Sequence, residues 1–294
     1  MIRILVSALA LSVALPSVAL AEAVEEKNLL SGKDRIDPTK GYIYISGPVR
    51  QMGMLLRLPD AATIAEYEQE WRAALTKVQE KYPGKLESWE RRAELAEQRQ
   101  SRVPEKPMEP TEENFAIGAI ELRDPVSFGP QYVFAKGQDP DRYSYLVEVK
   151  PGRYAYYGPL FFLPNVGMQG ACYCMGTVSF EVKAGSITDT GNFFLAGPGV
   201  DPAFPPPPAK LEGSEAGLYR PVAGSEQWGA VTYGLPESLR SFPNEQADFR
   251  AYGKLDNFYR AIVGRMPPVP GVLAYDRDKI IDLKAAPIAV DGAD

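Results

Sequence analysis

Val147-Glu148-Val149-Lys150-Pro151-Gly152 is echoed by Phe180-Glu181-Val182-Lys183-Ala184-Gly185, and six residues beyond each closing glycine stands another, Gly158 and Gly191. Each copy reads as strand, tight turn, strand. Pro151-Gly152 is the pair a type II turn asks for, because proline presets φ at the first corner and glycine accepts a positive φ at the second. Two such hairpins imply a sheet. Strand-like runs surround them: Tyr42–Ile45, Met52–Leu58, Phe115–Leu122, Gln131–Lys136, Tyr145–Lys150, Arg153–Tyr157 and Ile187–Leu195. Short runs divided by glycine, proline and aspartate, without the helices that a parallel sheet would place between them, predict a mainly β chain folded as a β-sandwich. Convergent turn chemistry accounts for the echo as well as duplication does.

One region breaks the β pattern. Asp60 can cap a helix, and Ile64, Tyr67, Trp71, Ala74 and Val78 recur at spacings of three and four up to about Tyr82. Pro83-Gly84 should break that helix, and Leu86, Trp89, Ala93 and Ala96 form a second stripe. The expectation is an antiparallel α-helical hairpin, inserted over residues 60–102 and projecting as an arm. Pro104, Pro107 and Pro110 would return the chain as a stiff extended strap.

The domain reading follows from the same punctuation. Met1-Ile2-Arg3, an apolar run to Leu15 and Ala19-Leu20-Ala21 predict a signal peptide over 1–21 rather than a membrane anchor, because the apolar run is too short to span a bilayer and contains Pro16. A flexible mature N-terminus is expected over 22–40, the sandwich over 41–196, and a Pro-rich linker over 197–208. An irregular α+β extension over 209–294 closes the chain, with a helix from about Glu245 to Gly264 and a strand pair around Asp276-Arg277-Asp278. The protein should be periplasmic or secreted.

Composition excludes much chemistry. The chain contains no histidine, so Ser-His-Asp and Cys-His arrangements, histidine zinc sites and imidazole acid/base steps cannot be assembled. No Ser-x-x-Lys spacing or phosphate loop occurs. The net charge of -6 carries no basic block, which argues against nucleic acid as a partner. No cofactor is implied, and a non-enzymatic role is expected.

Three groups of side chains are candidate sites. Cys172, Cys174 and Met175 could supply soft sulfur ligands for copper or a thiol redox pair, although a structural role suits two cysteines in an exported chain as well. On a flat strand their β-carbons stand too far apart for a disulfide, so pairing needs a bend, which Gly176 could provide. Trp71 and Trp89 on the arm, with Phe161 and Phe162 in the apolar stretch from Leu160 to Gly170, could bind a partner, the latter either exposed or folded into the core. Asp276, Asp278 and Asp282 lack the spacing of a calcium loop, and a carboxylate glycosidase or glycan binder stands as a further alternative.

Asn114-Phe115-Ala116-Ile117-Gly118, Leu122 to Pro130, Cys172-Tyr173-Cys174-Met175-Gly176 with its Glu-Val-Lys-Ala-Gly turn, and Pro270 to Asp278 together resemble a group of uncharacterised exported proteins of Gram-negative bacteria. The resemblance implies an envelope location and a prealbumin-like sandwich, and carries over no activity or functional residue. The expected function is binding or assembly through the helical arm or the apolar loop. An envelope protein or a cell-wall component would be the partner.

Overall fold

Strands form where aromatic and β-branched residues run between turn residues. The computed structural model describes residues 22–47, 52–129, 133–135, 143–163, 167–194, 231–269 and 271–285. The expected signal peptide and the Pro-rich linker lie outside them. In chain order the elements are β1 (Glu22–Ala23), α1 (Glu26–Leu30), β2 (Gly41–Gly47), β3 (Gly53–Arg57) and α2 (Ala61–Gln98). Then come β4 (Pro125–Phe128), β5 (Tyr143–Val149), β6 (Gly152–Gly158), β7 (Leu160–Leu163), β8 (Gly167–Cys172), β9 (Thr177–Val182) and β10 (Ile187–Asp189). The C-terminal part adds β11 (Asn244–Gln246), β12 (Arg250–Tyr252), β13 (Ile262–Val263), β14 (Leu273–Asp276) and β15 (Lys279–Asp282).

The chain is mainly β. One five-stranded sheet has the order β1-β5-β2-β10-β11, a second β12-β9-β6-β3-β4, and a three-stranded sheet β13-β8-β7 and the pair β14-β15 complete the set. Ile43, Ile45, Tyr145, Val147 and Val149 of the first large sheet share one buried cluster with Leu55, Tyr154, Tyr156, Val178, Phe180 and Val182 of the second. Aromatic rings fill its centre: Phe193 stacks on Phe249 at 4.0 Å, and Phe194 lies 4.6 Å from Tyr156.

The echoed segments are not hairpins. β5 and β6 are consecutive but belong to different sheets, and so do β9 and β10. Each echo therefore turns the chain across the core instead of folding it back within one sheet. The reason lies in burial: β5, β6 and β9 all send alternate side chains into the shared cluster, so a corner buries both of its strands where a hairpin would keep them side by side. β10 runs parallel to both β2 and β11.

Both large sheets are also covered on their outer faces. Tyr42, Tyr44 and Leu146 meet Val24, Phe134, Leu235 and Leu239 outside the first. Outside the second, Met54, Leu56 and Tyr157 meet Leu160, Cys172 and Cys174, with Phe258 and Tyr259 packed against them. Residues 22–36, expected to be loose, are drawn into this cover: β1 pairs with β5, Val24 is buried, and Ser238 Oγ donates to the buried Glu26 at 2.6 Å.

Two helical expectations are corrected. The helical hairpin is a single helix, α2, 38 residues long and containing Pro83. Val78, Tyr82, Leu86 and Trp89 follow at spacings of four, four and three, so the apolar stripe keeps its phase through the proline. Pro83 itself is exposed, away from that stripe. The other expected helix, Glu245 to Gly264, is absent; its place is taken by β11, β12, β13 and irregular chain. Phe249 belongs to the inner core, whereas Phe258 and Tyr259 pack outside the second sheet, and one continuous helix could not serve both faces.

Candidate functional site

The arm is built from its N-cap outward. Asp60 is extended, and its Oδ1 accepts from Thr63 N at 2.8 Å and from Thr63 Oγ1 at 2.7 Å. These hydrogen bonds, the Thr63 amide foremost, hold the Asp60 carboxyl down at about 2, with the Arg57 guanidinium contributing. From this cap α2 extends about 57 Å at 1.5 Å per residue.

What α2 packs against is its own return strand. Ser101 to Pro110 carries neither helix nor strand, and within it Pro104, Pro107 and Pro110 are half-buried while the residues between them are exposed. That three-residue period is the one a polyproline II strand presents to a flat neighbour. Such a strand has no internal hydrogen bonds, so its carbonyls are free to accept, and the helix supplies the donors. Trp89 Nε1 donates to Pro104 O at 2.8 Å, Tyr82 Oη to Pro107 O at 3.3 Å and Gln79 Nε2 to Pro110 O at 3.1 Å. Nearer the root, Trp71 Nε1 donates to Phe115 O at 3.1 Å and Tyr67 Oη to Gly118 O at 2.7 Å. Between the two outer rungs the rises are close: seven residues of α-helix from Tyr82 to Trp89 climb about 10.5 Å, and three of polyproline II from Pro104 to Pro107 about 9 Å.

This zipper explains why Pro83 is tolerated. A proline inside a helix costs about 3 kcal/mol, against a net gain of about 1 kcal/mol for each of the five rungs, before the burial of Leu75, Ala93 and Ala96 is counted. Away from the strap, α2 is exposed and charged, and Glu68–Arg72 and Glu87–Arg91 pair one turn apart.

At its root the arm meets the body. The insertion leaves from the end of β3 and returns at β4, and these two strands are antiparallel neighbours. Arg57, the last residue of β3, keeps a 9% exposed side chain and reaches Pro151 O, Thr63 Oγ1 and Asp60 Oδ2. Sequence reasoning missed Arg57. The available signal was a lone cation closing the apolar run of β3, three residues before a helix cap.

The nominated partner residues fall in two places. Trp71 and Trp89 are half-buried, with their indoles committed to the strap, so they shape the arm from within. Phe161 and Phe162 lie on β7; Phe161 is half-buried and Phe162 is 59% exposed. Leu160 is fully buried, so the apolar stretch divides between core and surface.

Cys172 and Cys174 form a disulfide, with Cα atoms 5.2 Å apart. That separation is below the span of two residues on a flat strand, because β8 ends at Cys172 and the chain turns through Gly176. Both sulfurs sit in the cluster outside the second sheet, while Tyr173 points the other way and meets the Tyr156 ring edge-on at 5.6 Å. In this state neither sulfur is a thiolate, the form that would bind copper or attack a disulfide. Met175 is exposed, and its amide donates to Gly264 O at 3.0 Å. Leu255 N donates to Cys174 O and Gly264 N to Cys172 O, so the cysteine turn pins the 255–264 segment over the sheet.

Asp282 is paired with Arg250 at 2.8 Å, and no group of three or more acidic or cysteine side chains able to hold a metal occurs among the described residues. Burial pushes the Tyr156 and Tyr173 hydroxyls up, which keeps them neutral in the core. No helix among the described residues is long and apolar enough to cross a membrane.

No family model, no curated protein and no solved structure matches this chain.

Proposed function

We propose that this chain is a non-catalytic binding or assembly protein of the bacterial envelope, exported through residues 1–21, whose working surface is the arm. The observation that carries the reading is the construction of α2. Its aromatic stripe is consumed by its own strap, so a long, stiff, charged face remains along an element that makes no extensive contact with any strand among the described residues. A helix held out in this way serves no core. The paired cysteines favour export, since a disulfide persists in an oxidising compartment. The body is read as a β-sandwich, because residues of two five-stranded sheets share one buried cluster.

The partner is a second envelope component, a protein or the cell wall. The test is in-cell photo-crosslinking from Glu68 and Glu90, both exposed on α2, followed by mass spectrometry. Recovery of one specific envelope component from both positions supports the reading. Abundant, folded protein with no capture at either position would sink it.

A further inference from the structure

We infer that Arg57 is a lock that fixes the direction of the arm relative to the body. The inference does not depend on what the arm binds. Four residues from three separate parts of the chain converge on this one guanidinium. Nη2 donates to Asp60 Oδ2 at 2.5 Å and Nη1 to Thr63 Oγ1 at 2.7 Å, which ties down the cap and first turn of α2. Nε donates to Pro151 O at 3.0 Å, which ties the same group to the corner between β5 and β6. Asp124, the residue immediately before β4, lies 3.8 Å from Nη1 and also binds Lys150 of that corner at 2.8 Å. The outgoing stem, the returning stem and the corner are thus joined through a single side chain.

The corner is shaped to receive it. Gly152 has φ +139°, and a β-carbon there would stand 3.0 Å from Arg57 Nε and 3.2 Å from Nη2. The glycine that the sequence marks as a turn residue therefore also leaves room for the guanidinium to lie against the backbone. Arginine is the residue that can do this, because its planar fork presents donors in several directions at once, while a lysine ammonium is a single point. A second tie stands farther out on the returning stem, where Arg123 Nη2 donates to Glu70 Oε1 at 2.6 Å. It joins the two limbs of the arm to each other; Leu122 packs the returning limb on the Met54 and Leu56 cluster and Leu58 N donates to Arg153 O, and Arg57 is the side chain that ties both stems and the corner by directional polar contacts. An insertion on two short stems without such a cross-tie would pivot about its stems; with the guanidinium in place, the arm's direction is set by the sheet.

The experiment measures that direction in the isolated full chain, with no partner added. Both natural cysteines are already bonded to each other, so nitroxide labels can be placed at Glu90→Cys on the arm and Glu181→Cys on β9, both exposed positions. Pulsed electron spin resonance then reads the distance between arm and body. The parent should give one narrow distribution, and Arg57→Gln should broaden it, while circular dichroism and thermal unfolding of the body stay near the parent's. Arg57→Lys should not restore the narrow distribution. An unchanged narrow distribution in Arg57→Gln overturns the inference. If Arg57→Gln does not fold, the double variant Asp60→Ser/Thr63→Val decides, since it removes both α2 partners of the guanidinium, keeps the cation and leaves a serine oxygen to cap the helix; broadening supports the lock and an unchanged distribution overturns it. Failure of crosslinking from Glu68 and Glu90 would leave this result untouched, so the two readings fail separately.

Discussion

The arm and the body hold themselves together by different physics. In the body each large sheet is buried on both faces, and the stabilising contact is apolar: Phe180 is 1% exposed and lies among Tyr154, Phe194 and Phe249. In the arm only one stripe of a long helix is covered, and it is registered to the returning chain by polar rungs, from Gln79, Tyr82 and Trp89 to the proline strap and from Tyr67 and Trp71 to the segment nearer the root. The difference shows how an element can be stiff without a core. Burial stabilises the body non-directionally, whereas the arm uses directional donors aimed at carbonyls that an extended proline strand leaves unbonded.

The largest expected effect tests the body. Phe180→Ala should cost about 3–5 kcal/mol in global stability by denaturant unfolding, because it removes a large buried ring from a packed aromatic cluster. The rungs of the arm should still protect its amides below the unfolding midpoint. Simultaneous loss of arm and body protection in hydrogen exchange would erase the contrast.

Next in size is Pro83→Ala, which should stabilise the arm by up to about 3 kcal/mol and leave the body's transition where it was. The same region settles helix against hairpin: labels at Arg72 and Glu94 should stand about 33 Å apart at 1.5 Å per residue, whereas a hairpin would bring them together. A short distance would return the arm to two helices.

Trp89→Phe should then remove one rung and keep most of the ring. A loss of about 1 kcal/mol is expected, confined to exchange protection around residues 79–98. If the loss appeared in the body's unfolding midpoint instead, the arm would not be an independent unit.

The smallest effect is that of acid at the root. Asp60 is held down at about 2, mainly by the Thr63 amide and hydroxyl, below the roughly 3.9 of an unfolded aspartate. A carboxyl depressed in the folded state stabilises it above the unfolded value, and that contribution fades as pH falls from about 4 through about 2. The protection of amides at the first turn of α2, taken relative to their intrinsic exchange rates, should therefore fall across that window. Asp60→Asn, which keeps a capping oxygen, should flatten the dependence; an equally steep response in that variant would place the titrating group elsewhere.

Much of this was legible beforehand. The strands around Tyr42–Ile45, Tyr145–Val149 and Val178–Val182 follow from local pattern, as does the cap at Asp60, and the need for a bend before Cys172 could meet Cys174 followed from strand geometry alone. A helical hairpin follows from Pro83-Gly84 only if the helix breaks there, and Val78, Tyr82 and Leu86 keep phase across it. Phase is the better witness, since two separate helices have no reason to share it. The sequence places Trp71 and Trp89 on the apolar stripes of the arm and offers them to a partner; the carbonyls that accept from their indoles lie fifteen or more residues away in sequence.

What the sequence determined by itself was local: which runs extend, where α2 begins, where proline stiffens the strap, and which chemistries a chain without histidine cannot perform. The pairing of strands was decided only in three dimensions. The two echoed turns carry nearly the same letters a hairpin would, yet each joins strands of different sheets, and β5, β6 and β9 send residues into one shared buried cluster. Arg57 likewise carries only a faint local mark of its task, its place at the end of β3 three residues before the cap of α2. Its partners at positions 60, 63, 124 and 151 are brought together by the pairing of β3 with β4 and β6, and a side chain's hydrogen bonds exist only where the fold has delivered the acceptors.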